Sequence, residues 1–253
     1  MDLRLDGQVA LVTGANGGLG AHFARTLASA GARVALAARD AGTVRDAATR
    51  IREEGGQAHA VALDVTSRAS VVGAFEEAAR ALGPVGVVVN NAGIAVTKPL
   101  LDHTDDDWDR VIGVNLTGAW RVAQEAARHM VAHGKGGSIV NVASILGLRV
   151  AAQVPSYVAS KAALIQLTKA MALELARHRI RVNALAPGYV ETGINREFFA
   201  SDAGQAVIKR IPQRRIGMPA DLDGALLLLA SDAGSYATGS VVVLDGGQLV
   251  GTL

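Results

Sequence analysis

Seven short apolar runs recur along the chain, at 8–13, 33–38, 58–63, 86–90, 138–143, 181–186 and 240–244. Most are continuous in Val, Leu, Ile and Ala rather than alternating, which is the pattern of strands covered on both faces. Segments of helical length and periodicity separate them, among them 21–30, 41–54, 69–82, 108–132 and 156–177. Strand alternating with helix predicts an α/β fold, a doubly wound parallel seven-stranded sheet with right-handed crossovers and helices on both faces. Ligands of such sheets bind outside the carboxyl ends of the strands. The turn 14–20, Asp64, the run 90–93, Ser144 and Pro187-Gly188 all lie at or just after predicted strand ends, so they are expected to converge on one crevice.

Composition narrows the alternatives. With 253 residues, half of them hydrophobic, the chain can bury a large core. No repeat, low-complexity tract or proline-rich linker divides it, so a single domain over 1–253 is expected. Cysteine is absent, which excludes disulfides, thiolate metal sites and a cysteine nucleophile. The 25 basic and 23 acidic residues leave a formal charge of +2, with the arginines scattered, so no nucleic-acid stripe forms. The opening Met1-Asp-Leu-Arg-Leu-Asp6 lacks a secretory apolar stretch, and runs such as 225–230 are too short to span a bilayer. No membrane association and a cytoplasmic location are the expectation. Asp105-Asp106-Asp107 behind Thr104 read as a capped helix start, not as a metal site. The six histidines show no ligand spacing, and no metal is expected.

Two segments carry chemistry. Val9-Ala-Leu-Val-Thr13 runs straight into Gly14-Ala-Asn-Gly-Gly18-Leu-Gly20, and a helical segment follows. Glycines there allow a tight turn and close approach of a ligand, and the helix N-terminus behind them favours a pyrophosphate. The spacing is not GxGxxG, so the usual dinucleotide fingerprint does not match as written. Further on, Tyr157 and Lys161 stand four residues apart in Ser156-Tyr-Val-Ala-Ser-Lys161, on one face of a helix. An ammonium beside the phenol is expected to lower its pKa toward the range useful for acid/base catalysis. Such a pair also arises by chance on solvated helices, so it needs the company of other motifs.

That company is present. Thr13-Gly14-Ala-Asn-Gly-Gly18-Leu-Gly20 matches a TGxxxGxG turn, Asn90-Asn91-Ala92-Gly93 an NNAG motif, and Asn115, Ser144, Tyr157 and Lys161 a catalytic tetrad. On these residues the chain resembles the short-chain dehydrogenase/reductase family over nearly its full length. The resemblance implies a Rossmann-like fold and an NAD(P)-dependent oxidoreductase acting on CH–OH or C=O groups. Tyr157 would exchange a proton with the substrate oxygen, and Ser144 would donate a hydrogen bond to it. Lys161 would hold the nicotinamide ribose, and Asn115 a water near Lys161. The cofactor would lie along Gly14, Asn16, Gly18, Leu19 and Gly20. Asp64 and Val65 would meet adenine, and Asn90, Asn91, Ala92 and Gly93 would line its path. Pro187, Gly188, Val190 and Thr192 would hold the nicotinamide. A homotetramer or dimer, with 108–132 and 156–177 between subunits, is likewise implied.

Cofactor choice turns on the end of the second strand, Ala38-Arg39-Asp40. An acidic residue at 38 would favour NAD(H); alanine there with Arg39 next favours NADP(H), because a guanidinium pairs with the 2′-phosphate. Ile94, Ser144, Ile145, Leu146, Val150, Val154 and Tyr189 form the expected substrate pocket, a mainly apolar set suited to a ketone or secondary alcohol. The segment 190–216, with Ile194, Phe198, Phe199 and Ile211, is a candidate lid. The pattern is similar to 3-oxoacyl-carrier-protein reductases and to secondary alcohol and sugar-acid dehydrogenases. An NAD-dependent sugar-acid or polyol dehydrogenase, or a non-catalytic nucleotide-binding regulator, are the alternatives. Lys135, Arg177 and Arg179 offer a docking surface to an acidic carrier protein.

Overall fold

The computed structural model describes residues 2–193 and 195–251. Seven strands, β1 (Val9–Thr13), β2 (Arg33–Ala38), β3 (Gln57–Ala62), β4 (Val87–Asn90), β5 (Gly137–Val142), β6 (Ile180–Pro187) and β7 (Val241–Leu244), form one sheet. Its order is β3-β2-β1-β4-β5-β6-β7, and every neighbouring pair is parallel. The chain steps outward from β1 to β3 on one side, then crosses back to place β4 on the other. The carboxyl ends of β1 and β4 therefore diverge around a crevice, the switch point at which such sheets bind ligands.

Strand residues alternate between two cores. Ala10, Val12, Val34, Leu36, Val87 and Val89 point to the face covered by α1 (Gly18–Ser29), α2 (Ala41–Glu53) and α9 (Asp223–Ala230). Val9, Leu11, Ala35, Ala37 and Val88 point to the face covered by α3 (Arg68–Leu82) and α5 (Ala119–His133). The long α6 (Pro155–Leu175) packs beside β6 and shares this second face. Burying both sides explains why the runs are continuous rather than alternating, each large aliphatic side chain contributing about 1.5–3 kcal/mol. The two edge strands depart from the pattern: the four residues of β7 are only half-buried, and β3 is exposed at both its ends.

The segment 108–132 is not one helix. α4 (Asp105–Ile112) passes into a π-helical turn, Gly113–Gly118, before α5 begins. Close packing helps fix that turn, since a Cβ on Gly118 would come within 2.9 Å of Val65 Cβ. The acidic run opens α4 as a capping box: Thr104 Oγ1 accepts from the Asp107 amide at 3.2 Å, and Asp107 Oδ2 accepts from the Thr104 amide at 3.2 Å. Among the described residues no helix is long and apolar enough to cross a membrane.

Candidate active site

At the mouth of the crevice the backbone does most of the work. Gly14 and Gly18 adopt φ of +65° and +51°, a region that strains other residues. A Cβ on Gly14 would lie 2.9 Å from Ala92 Cα, and one on Gly20 would collide with the Gly14 carbonyl. The space is closed because the ends of β1 and β4 are latched. Buried Thr13 Oγ1 accepts from the amides of Asn91 and Ala92, both at 3.0 Å. Asn91 Nδ2 donates to the carbonyls of Thr13 at 3.0 Å and Gly14 at 3.2 Å. No side chain caps the start of α1, and Asn16, Gly17 and Gly18 are exposed. The first amides of that helix thus face an open glycine cradle, which fits a pyrophosphate.

The far end of the crevice is set by β2 and β3. Arg39 is exposed just past Ala38, whereas the Asp40 carboxylate caps α2, accepting from the Gly42 amide at 2.7 Å. Asp64 Oδ1 accepts from the Thr66 hydroxyl at 2.7 Å and amide at 2.8 Å. Those two bonds, the hydroxyl first, hold the carboxyl below its ordinary pKa, with Arg39 and Arg121 adding to the effect. Val65 is buried beside Gly118. Asn90 does not face this space: its Nδ2 donates to Ala119 O at 3.0 Å and Asn141 Oδ1 at 2.9 Å, so both donors tie β4 to the neighbouring elements.

A cavity of about 300 Å³ occupies the centre of the crevice. Ser144, Tyr157 and Lys161 share its wall with Leu19, Asn91, Gly93, Ile94, Pro187, Gly188, Tyr189, Val190 and Thr192. Leu146 and Val154, expected in the pocket, do not line it. Leu146 is turned into a 3₁₀ turn, where its amide donates to Ser144 Oγ at 3.1 Å, and Val154 immediately precedes Pro155 at the start of α6. Ile145, buried in the same turn, and exposed Val150 also lie off the wall.

The expected effect of Lys161 on Tyr157 is corrected by burial. Lys161 is 4% exposed, and its Nζ donates to Val142 O at 2.7 Å and sits 5.5 Å from the Tyr157 ring centroid. Desolvation pulls its own pKa down to about 8. Burial likewise pushes the Tyr157 phenol above its ordinary value, and the Ser144 hydroxyl works in the opposite direction. The ammonium lies over the ring rather than against the oxygen, so desolvation wins in the protein alone.

Asn115 sits in the π turn and is buried. Its Oδ1 accepts from Ile94 N at 2.8 Å, while Nδ2 donates to Ile94 O at 2.9 Å and Ser160 Oγ at 3.1 Å. Both amide hydrogens are thereby committed to protein, and neither is left to hold a water.

Comparisons with known proteins give the family. The family model described as short chain dehydrogenase matches residues 8–203. The chain belongs to the short-chain dehydrogenase family. A 2-dehydro-3-deoxy-D-gluconate 5-dehydrogenase of Escherichia coli is 36% identical over 248 residues, 97% of this chain and 96% of that protein. A 3beta-hydroxysteroid dehydrogenase of Eggerthella lenta is 40% identical over 246 residues, 96% of this chain and 94% of that one. The crystal structure of a gluconate 5-dehydrogenase from Burkholderia cenocepacia, in complex with NADP and tartrate, superposes with a TM-score of 0.94 at 38% identity, covering 99% and 98% of the two chains.

This short-chain dehydrogenase is accordingly an NAD(P)-dependent oxidoreductase, and its glycine cradle and uncapped α1 fit that cofactor. Some of the site lay outside the sequence reading. Ser160, wholly buried, donates to Tyr157 O at 2.7 Å and so presents only lone pairs to Asn115, which fixes the orientation of the Asn115 amide. Its position three residues after Tyr157 was the available signal. Asn195 also lines the cavity, accepting from Thr192 N and donating to Val190 O, both at 2.8 Å. Ala95, Val142 and Ala143 complete the wall and carry no motif. The candidate lid is joined to the body at a neck, where Glu191 N donates to Gly217 O at 2.8 Å and Gly217 N to Tyr189 O at 2.9 Å, and again where Gln213 N donates to Gly246 O at 3.1 Å. It contains α7 (Arg196–Ala200) and α8 (Asp202–Ile208); Ile194 lies outside the described residues. Of the three basic residues considered for carrier docking, Arg179 donates to Gly134 O at 2.7 Å, Arg177 to His178 Nε2 at 3.1 Å, and Lys135 is exposed.

Proposed function

We propose that this short-chain dehydrogenase interconverts a ketone and a secondary alcohol with NADP(H), Tyr157 moving the proton at the substrate oxygen. The observation that carries the reading is the meeting of Ser144, Tyr157 and Lys161 on one cavity wall, adjoining the glycine cradle. Bound cofactor supplies or accepts the hydride at the nicotinamide ring. In reduction the half-buried phenol, its pKa raised by desolvation, is protonated at neutral pH and can donate to the carbonyl oxygen. Ser144 Oγ stands beside it to donate a second hydrogen bond to that oxygen. Lys161 would hold the ribose hydroxyls, while Val190 and Thr192, steadied by Asn195, would hold the carboxamide. Asn115 acts by position: it locks Ile94, on the cavity wall, to Ser160 and hence to the turn of α6 that carries Tyr157.

Preference for NADP(H) rests on Arg39, which is exposed where the 2′-phosphate would lie, and on Asp40, whose carboxylate is committed to the α2 cap. The NADP present in the Burkholderia cenocepacia structure supports the same choice. Subunit association belongs to this reading as well. Trp120, Val131 and Leu173 are exposed on α5 and α6, faces suited to packing in a homotetramer; sedimentation as a monomer would refute it.

The test follows the reduced-nicotinamide absorbance band across neutral ketones, 3-oxoacyl thioesters and keto sugar acids. Wild type is expected to turn over at least one class, and Tyr157→Phe to lose about 10²–10⁴-fold in kcat while still binding NADPH. Equal activity of the two proteins on the preferred substrate would sink the proposal.

A further inference from the structure

Resting on that oxidoreductase reading, we infer that the substrate is neutral and bulky in its apolar part, a ring-bearing ketone or secondary alcohol rather than a sugar acid, selected by Tyr189, Phe199 and Phe198.

Charge is the first ground. Among the described residues the only cation on the cavity wall is Lys161, which is buried and bonded to Val142 O. Among the described residues no basic side chain on the bordering segments lines the cavity, and three of them are held in ion pairs. Lys98 pairs with Asp107 at 2.6 Å, Arg196 with Glu191 at 3.0 Å, and Arg215 grips both oxygens of Asp221 at 2.6 and 3.0 Å. Arg149 donates to Gln248 O and Arg214 to Lys209 O. Lys209 and Arg210 do not line the cavity. A carboxylate entering this space would lose its water without gaining a guanidinium or a free ammonium, so the site rejects it.

Shape is the second. Tyr189 lines the cavity, Phe199 meets it edge-on at 5.4 Å between centroids, and Phe198 meets Phe199 edge-on at 5.2 Å. Phe199 is buried and backs the other two, so the ladder presents Tyr189 at the cavity wall and Phe198, 49% exposed, at the surface. Leu148, Val150, Tyr189, Phe198 and Met218 make up five of the thirteen large hydrophobic side chains exposed among the described residues, and all lie on 144–154 or 188–218, the segments bordering the cavity. Apolar groups held in water beside a site release free energy when a substrate covers them. The part of the cavity that the nicotinamide would leave free, beside Ser144, Tyr157 and Tyr189, takes only the reacting end of such a molecule and leaves the rest against Tyr189 and Phe198.

The experiment measures kcat/KM of the NADPH-bound enzyme for three probes: α-tetralone, butan-2-one and 5-keto-D-gluconate. α-Tetralone is expected to exceed 5-keto-D-gluconate by about 10-fold or more, since a tenfold ratio needs only ~1.4 kcal/mol. Phe198→Ala should shrink the α-tetralone to butan-2-one ratio about 10-fold, mostly through KM, and Phe198→Tyr should restore it. Preference for 5-keto-D-gluconate, or an unchanged ratio in Phe198→Ala, would overturn the inference and leave the oxidoreductase reading standing. NADPH binding without turnover of any probe would overturn both.

Discussion

The cradle at the β1–α1 turn and the rim formed by 144–154 and 188–217 meet at one cavity but are built by opposite means. On the cradle side the backbone is the working part: two glycines at positive φ, a buried threonine latching two strand ends, and an asparagine amide filling the space a Cβ would need. On the rim the side chains are the working part, carried by a segment whose neck is two backbone hydrogen bonds. The difference teaches which half tolerates change. A cradle residue is constrained by its own backbone and by the strand behind it, whereas an exposed rim side chain such as Phe198 can vary with the substrate at little cost to the fold.

Substitutions sharpen the contrast. Gly20→Val should be the most damaging on the cradle side, because its side chain has no space between Gly14 O and Asn91 Nδ2. NADPH affinity is expected to fall by about 100-fold or more, with a lower melting temperature, as titration of cofactor fluorescence and thermal unfolding would show. Near-normal binding would mean that the cradle is softer than its geometry implies.

Lys161, where the two halves join, should appear in stability rather than in binding alone. Burial lowers its pKa to about 8 in the folded protein, against ~10.4 when unfolded. Between those values the unfolded chain holds the extra proton, so this group's contribution to stability rises with pH across the window, and the full burial penalty applies below it. Relative to Lys161→Met, wild type should gain about 3 kcal/mol between pH 7 and pH 10.5 in denaturant unfolding, and the difference should be flat below pH 7.

The smallest effect belongs to the exposed end of the cradle. Arg39→Ala should weaken NADPH about 10–100-fold and leave NADH nearly unchanged, because only the 2′-phosphate loses a charged partner. Equal weakening of both cofactors would remove the basis for NADP preference.

The sheet was legible in the sequence to within a residue or so at most strand ends, because a strand buried on both faces is mostly apolar, its few polar residues such as Thr13 and Asn90 being hydrogen-bonded. The helix expected over 108–132 was legible only in part. Periodicity does not register a π turn, and the buried polar contacts of Asn115 within it depend on Ile94 and Ser160, which are distant in sequence. Motif spacing located Ser144, Tyr157 and Lys161, whereas the pKa direction of Tyr157 required knowing how deeply the pair is buried. Leu146 and Val154 were placed in the pocket by nearness to Ser144 and Tyr157 along the chain, which a 3₁₀ turn and the start of a helix redirect.

The role of Tyr157 as the proton carrier is tested most directly by the pH dependence of single-turnover hydride transfer in both directions, with cofactor and substrate already bound. Oxidation requires the ionised phenol, so its rate should climb about tenfold per pH unit from near pH 6 until it levels off at an apparent pKa; reduction should stay flat through neutrality and fall only at alkaline pH. An oxidation rate independent of pH from about 6 to 9 would contradict the assignment of Tyr157.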